Sequence, residues 1–293
     1  MIWTVTMLTI KELKETFTRY DFAPLKRLGE NYLIDANIKN KIIAAADISK
    51  DDTILEIGPG LGALTADLAG TGARVIAVEK DRKACEALRR ILGDNFPNLE
   101  ITNGDILQFD LSRVARGKNV KVVGNLPYYI TTPIIEYILR NKGLISEAII
   151  MVQKEVASRL LAGAGSRDYG SLSCFLQYHT RPEHIYAVKR TCFYPEPDVD
   201  SSIVKLIIPE NPSVSVKNED LFFKIVRGAF NQRRKTIINS LSREAVLNIA
   251  KADLTAILNT AGIDPAARPE TLSLADFAKI ANCLRKAHCC GNL

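Results

Sequence analysis

Asn125-Leu126-Pro127-Tyr128 is the stretch whose residue types could do unusual chemistry. It follows Val120-Lys121-Val122-Val123-Gly124, an apolar run that reads as a buried strand. An amide, a free carbonyl, a proline and an aromatic ring at a strand end suit methylation of the exocyclic amine of an adenine. That nitrogen is a poor nucleophile because its lone pair is delocalised into the ring. Acceptors aimed at its two hydrogens localise the lone pair and point it at a methyl donor. The Asn125 side-chain oxygen and the Leu126 backbone carbonyl are the candidate acceptors. Pro127 fixes the backbone and removes a donor, and Tyr128 offers a face on which a base can stack. The same residue types also make an ordinary turn, so the surrounding elements have to decide.

Those elements alternate. Thr53–Ile57 reads as a strand entering a glycine turn, followed by helical spacing at Leu61, Leu64 and Leu68. Arg74 to Val78 reads as a second strand ending at Glu79, Lys83 to Leu92 as a helix, and Leu99 to Ile101 as a third strand before Gly104-Asp105. Val120 to Gly124 is a fourth strand, a helix is expected to start at Pro133, and Glu147 to Val152 is a fifth strand. Such alternation predicts a parallel sheet covered on both faces. His184–Lys189 and Ser202–Ile208 read as two late strands without a helix between them, an antiparallel closure of the sheet. After Pro209-Glu210-Asn211-Pro212 only helical periodicity remains. Val246, Ala250, Leu254, Ile257 and Ala261 form one stripe, stopped by Gly262. Leu274, Phe277, Ile280 and Leu284 form another, with Ser273 as its N-cap. The expected organisation is a loose leader over 1–25 with a short amphipathic segment, an α/β domain over 26–211 and a small all-α domain over 212–293.

Glu56-Ile57-Gly58-Pro59-Gly60-Leu61-Gly62 lies between a strand and a helix, where glycines let a ligand approach the backbone. Glu79 ends the next strand, placed to accept hydrogen bonds from ribose hydroxyls. Gly58-x-Gly60-x-x-Ala63 also fits the dinucleotide fingerprint, so this segment alone does not separate NAD from S-adenosylmethionine. Asp105, at the end of the third strand, could accept from an adenine amino group and favours the second ligand. Taken singly it is also a common turn residue.

With 293 residues, 47% hydrophobic and 25% charged, the chain has the composition of a soluble globular protein. Its net charge of +6 permits a polyanionic partner without requiring one. Leu221 to Arg243 is more pointed: it holds Lys224, Arg227, Arg233, Arg234, Lys235 and Arg243 and no acidic residue. Such a segment would neutralise phosphates, or would simply be a solvated helix face. Cys85, Cys174, Cys192, Cys283, Cys289 and Cys290 include no C-x-x-C pair, which suggests reduced thiols in a reducing compartment. His288-Cys289-Cys290 reads as a frayed tail, and no metal site is expected. Positive charge follows the apolar residues at the start of the chain, the reverse of a secretory signal. A cytoplasmic protein is expected.

Six segments together resemble the ribosomal RNA adenine dimethyltransferase family acting on the small subunit. They are Lys26-Arg27-Leu28-Gly29-Glu30-Asn31-Tyr32-Leu33, the Glu56–Gly62 turn, Asn125-Leu126-Pro127-Tyr128-Tyr129-Ile130, Gln153–Ala157 with Asp168–Ser173, Phe193–Ser201, and Ala229–Thr236. Arg268-Pro269-Glu270 with Leu272-Ser273 fits the family's C-terminal domain. The family often has Gln where this chain has Glu30, which puts one contact over the cofactor in doubt.

The resemblance implies a Rossmann-like class I methyltransferase sheet, mostly parallel with an antiparallel C-terminal strand. It implies S-adenosylmethionine held by Asn31, Leu33, Gly58, Gly60, Glu79, Asp105 and Asn125. Catalysis would fall to Asn125, Leu126, Pro127 and Tyr128, with Phe193 covering the second face of a flipped base. RNA contacts would come from Lys26, Arg27, Arg227, Arg233, Arg234 and Lys235. The implied substrate is a pair of adjacent adenosines near the 3′ end of small-subunit rRNA, within an immature subunit, met by a monomeric enzyme without metal or membrane. Large-subunit rRNA or DNA as the substrate is an open alternative. So is a non-catalytic ribosome-assembly or transcription factor on the same fold. An NAD enzyme would lack any evident hydride-handling partner.

Overall fold

The computed structural model describes residues 9–20, 31–115, 117, 119–232, 234–243 and 249–289. The strands, in chain order, are β1 Tyr32–Leu33, β2 Thr53–Ile57, β3 Arg74–Glu79, β4 Leu99–Asn103, β5 Val120–Asn125, β6 Ile145–Gln153, β7 Arg181–Val188, β8 Phe193–Tyr194 and β9 Ser201–Ile207. Seven of them form one sheet in the order β4-β3-β2-β5-β6-β9-β7, and β1 pairs with β8 in a separate antiparallel ribbon. Pairings from β4 through β6 are parallel, and β9 runs antiparallel to β6. Helices Thr65–Gly70, Arg82–Leu92 and Thr131–Arg140 make the crossovers that parallel neighbours require. Ile54, Leu55, Ile76, Val122 and Ile149 are fully buried, which is why these strands are continuous apolar runs rather than alternating ones.

The chain divides into two compact units. One runs up to Ala157 and resumes over Glu183–Ile208; the other comprises Ser158–Pro182 and the chain from Pro209 onward. Residues 158–182 therefore belong with the helical unit, not with the 26–211 stretch expected from the sequence. Tyr169, Cys174 and Tyr178 share a core with Phe222, Ile225 and Phe277, so the helix Ser171–His179 is buried among the later helices.

Two further expectations change. Residues 10–19 are not a loose leader. Ile10–Arg19 is a helix closed by a Thr9/Glu12 capping box, and its Leu13 and Phe17 pack with Leu61, Ala87 and Tyr32. The helix expected to start at Pro133 begins at Thr131, which leaves Pro133 inside the first turn, where its missing N–H has no partner to lose. Helices Lys154–Leu161 and Ser171–His179 occupy a stretch whose periodicity the sequence does not make obvious. Ser273 does cap its helix: Asp276 N–H donates to Ser273 Oγ and the Asp276 carboxylate accepts from Ser273 N–H.

Candidate active site

Strand order reverses between β2 and β5, and at the carboxyl ends of these strands lies a cavity of about 410 Å³. Asn31, Leu33, Gly58, Gly60, Glu79, Asp105 and Asn125 all line it, as do Leu126, Pro127 and Tyr128. The register explains the convergence. Ile57 pairs with Val78 and Glu56 with Val123, so Gly58, Glu79 and Asn125 stand at one level on the sheet edge.

The turn after β2 is built by conformation. Gly60 has φ +57°, and a Cβ there would sit 3.0 Å from Cε1 of Tyr32. Glu79 ties this turn to the next strand. Its Oε2 accepts from Gly60 N–H at 3.0 Å and its Oε1 from Asp81 N–H at 2.9 Å. Each carboxylate oxygen has a second lone pair, so the group is oriented by the backbone and still able to accept from a ligand. Asp105 is held by Lys80 Nζ at 2.8 Å and Leu107 N–H at 3.0 Å. The Lys80 ammonium keeps its carboxyl below the usual range, hence ionised at neutral pH.

Asn125 ends β5, and its Nδ2 donates to the Asn31 carbonyl at 2.8 Å. Because the donor end of the amide is committed, the oxygen is the end left to accept. Gly124 sets the strand spacing at this point: a Cβ there would lie 2.9 Å from the Ile57 carbonyl oxygen. Leu126 N–H donates to Met151 O, which locks the turn to β6. Tyr128 is half-buried, with its hydroxyl 2.8 Å from Ser201 Oγ, and burial raises its phenol above the ordinary value.

Phe193 is the exception among the expected residues. It is only 2% exposed, pairs with Leu33 across the β1–β8 ribbon and packs with Leu33, Ile38 and Ile203, outside the cavity lining. The ring is enclosed in that apolar core. The Phe193–Ser201 segment reaches the site through Ser201 instead. Of the expected RNA contacts, Arg227, Arg234 and Lys235 are exposed on the helical unit, as are Lys224 and Arg243. Lys26, Arg27 and Arg233 lie outside the described residues, as does Glu30. Sequence reasoning assigned no role to Glu56, Lys80 or Tyr129, all of which line the cavity. The signal for Glu56 was a lone charge inside Thr53-Ile54-Leu55-Glu56-Ile57.

Among the described residues no group of three or more His, Cys, Asp or Glu could hold a metal, and no helix is long and apolar enough to cross a membrane. Cys85, Cys174, Cys192 and Cys283 are free thiols.

The model of the ribosomal RNA adenine dimethylase family matches residues 24–286. The chain belongs to this family. It is 43% identical over 280 residues to ribosomal RNA small subunit methyltransferase A of Alkaliphilus oremlandii, covering 94% of this chain and 97% of the relative. It is 46% identical over 271 residues to the protein of that name from Moorella thermoacetica, covering 89% and 93%. Among solved structures it resembles a dimethyladenosine transferase from Plasmodium falciparum, at 30% identity with a TM-score of 0.75, covering 85% of this chain and 95% of that one. It also resembles the 23S rRNA methyltransferase ErmE, at 26% identity with a TM-score of 0.70, covering 87% and 100%. The seven-stranded sheet is thus the Rossmann-like sheet of the S-adenosylmethionine-dependent methyltransferases.

Proposed function

We propose that this chain transfers methyl groups from S-adenosylmethionine to the N6 amines of two adjacent adenosines in the 3′-terminal hairpin loop of small-subunit (16S) rRNA, giving N6,N6-dimethyladenosines. One observation carries the reading: the Asn125 amide is anchored by its nitrogen on the Asn31 carbonyl, which leaves an acceptor at the rim of a nucleoside-sized cavity. The small-subunit assignment is supported by relatives of that name at 41–46% identity, against 26% for the large-subunit enzyme.

The cavity fits the donor. A Cβ added to Gly58 would meet nothing within 4 Å, so the turn is an open cradle, and two oriented carboxylates stand beside it. When bound, S-adenosylmethionine supplies an electrophilic methyl on a good leaving group. Asn31, Leu33, Gly58 and Gly60 would form the walls, Glu79 would accept from the ribose hydroxyls, and Asp105 from the adenine amino group. The target adenine must leave its stack to enter. Asn125 Oδ1 and the Leu126 carbonyl would then accept from its N6 hydrogens, Pro127 would hold that carbonyl in place, and Tyr128 would stack on the ring. We assign no general base, because the transient methylated ammonium is acidic enough to lose its proton to water. The work of these residues is alignment and exclusion of solvent.

Our reading extends to the partners. The exposed cations Arg227, Arg234 and Lys235, with Arg233, would neutralise RNA phosphates, making the 212–293 region the RNA-binding part, and Lys26 and Arg27 would add to the footprint. The substrate would be rRNA inside an immature small subunit, met in the cytoplasm by a monomer. Labelled S-adenosylmethionine offered with immature small subunits, large subunits and DNA tests this. Label on two neighbouring adenosines of small-subunit rRNA is expected, and label confined to the other two substrates would overturn the assignment.

A further inference from the structure

Helix Ile10–Arg19 precedes the stretch matched by the family model, and no role falls to it in that reading. It packs against three pieces of the cavity wall at once. Leu13 and Phe17 are buried with Leu61, inside the glycine turn, and with Ala87, on the helix that follows Glu79. The Phe17 ring lies 5.3 Å from that of Tyr32, which lines the cavity and comes against Gly60. Lys14 Nζ stands 5.4 Å over the ring of Tyr194, the β8 partner of Tyr32, and the Arg90 guanidinium stands 5.6 Å over the ring of Tyr20. All of these residues belong to the compact unit that carries the sheet.

Neither partner in this contact supports itself. β1 and β8 have two residues each, and so short a ribbon does not hold by its own hydrogen bonds. Leu33 is fixed by the core it shares with Ile38 and Ile203. Tyr32, on the other face of the strand, finds its apolar cover in Leu13 and Phe17. A helix of ten residues is likewise marginal alone, so Ile10–Arg19 forms where its two buried residues dock. Docking the helix and placing Tyr32 are therefore one event. We infer that Ile10–Arg19 is a strap that sets the donor site. Phe17 is a positioning residue that holds Tyr32 against the glycine turn, so donor binding and docking of the helix reinforce each other. This rests on the methyl-donor reading above and extends it to residues outside the cavity lining.

Two measurements test it. In titration calorimetry Phe17→Ala should weaken S-adenosylmethionine by about 10-fold, and Phe17→Leu, which keeps an apolar side chain in place, by no more than about twofold. In methyl transfer the loss should fall on KM for the donor rather than on kcat. Unchanged donor affinity in Phe17→Ala, or a loss confined to kcat, overturns the inference. Wild-type protein gives an independent reading should the variant fold poorly. Hydrogen exchange at the amides of Ile10–Arg19 should slow by about 5- to 10-fold on saturation with S-adenosylmethionine, beyond any change in Lys251–Thr260, a helix of the other unit. A helix that only adds bulk to the fold would not respond in this way. Exchange at Ile10–Arg19 that ignores the donor, or that slows no more than at Lys251–Thr260, overturns the inference, whereas wild-type protein that binds no S-adenosylmethionine would overturn the donor reading itself.

Discussion

The hydroxyls of Tyr128 and Ser201 lie 2.8 Å apart, joining the turn after β5 to the first residue of β9. Ser201 is fully buried, so the bond fixes the phenol from beneath and leaves the ring to meet a base. Tyr128→Phe and Ser201→Ala should each lower kcat/KM for RNA by about 3- to 10-fold, the worth of one neutral hydrogen bond. The double variant should be no worse than either single, because both remove the same bond. Tyr128→Ala also loses the stacking face and should fall by about 10- to 100-fold. Single-turnover methyl transfer reads all four, and multiplicative losses in the double variant would show that the two hydroxyls act separately.

Asn125 offers a sharper substitution. Asn125→Ala removes the acceptor and should reduce transfer by about 1,000-fold or more, with donor binding weakened but measurable. Asn125→Asp keeps an oxygen and the shape but loses the donor to the Asn31 carbonyl, setting carboxylate against carbonyl. It should be nearly as inactive as the alanine variant. Quench-flow transfer and calorimetric donor binding, measured on the same preparations, separate the two effects, and near-normal turnover of either variant would contradict the role given to the amide.

How much of this was legible beforehand depends on where the information lies. The parallel strands are written as apolar runs with turn residues at their ends, and Glu79, Asp105 and Asn125 all follow such runs, so their convergence on one rim needed only the strand order. An aromatic among prolines, such as Phe193, reads the same whether it faces a ligand or a core; its burial with Leu33, Ile38 and Ile203 is a fact of the folded chain. The helix Ile10–Arg19 shows in the sequence only as a short amphipathic segment, with Leu13 and Phe17 four residues apart; that they pack on Leu61 and Ala87, far along the chain, does not show there. Glu56 is visible as an anomaly, but its full enclosure is a fact of three dimensions.

Gly124 carries no chemistry, yet the site depends on it. Gly124→Ala puts a methyl group 2.9 Å from the Ile57 carbonyl oxygen, and because the opposing atom is backbone the strands must separate. Overpacking of this kind costs about 1–3 kcal/mol. Denaturant unfolding should show that loss, together with weaker donor binding as Asn125 moves away from Gly58. A stable variant with unchanged binding would mean that β2 and β5 tolerate more separation than their packing suggests.

The basic segment predicts a salt dependence. Changing Arg233, Arg234 and Lys235 to Glu should weaken RNA binding and flatten the slope of log affinity against log salt by about 0.7 to 0.9 for each phosphate that is no longer neutralised. Filter binding between low and physiological salt measures it. An unchanged slope would place the phosphate-binding cations elsewhere on the chain.

Glu56 makes a prediction about stability. Its carboxyl is raised from 4.5 to about 8 by burial first, with Glu79 adding repulsion and Thr65 opposing. Between those values the folded protein keeps the proton while the unfolded chain has lost it. The folded state therefore binds more protons, and stability falls as pH rises through that window. Each kcal/mol lost lowers Tm by about 2–4 °C for a chain of this size. Ligand-free wild-type protein should thus melt roughly 5 °C or more lower at pH 8 than at pH 5 relative to Glu56→Gln, which cannot ionise there. Parallel pH profiles for wild type and variant would mean that the Glu56 carboxyl ionises freely in the folded protein.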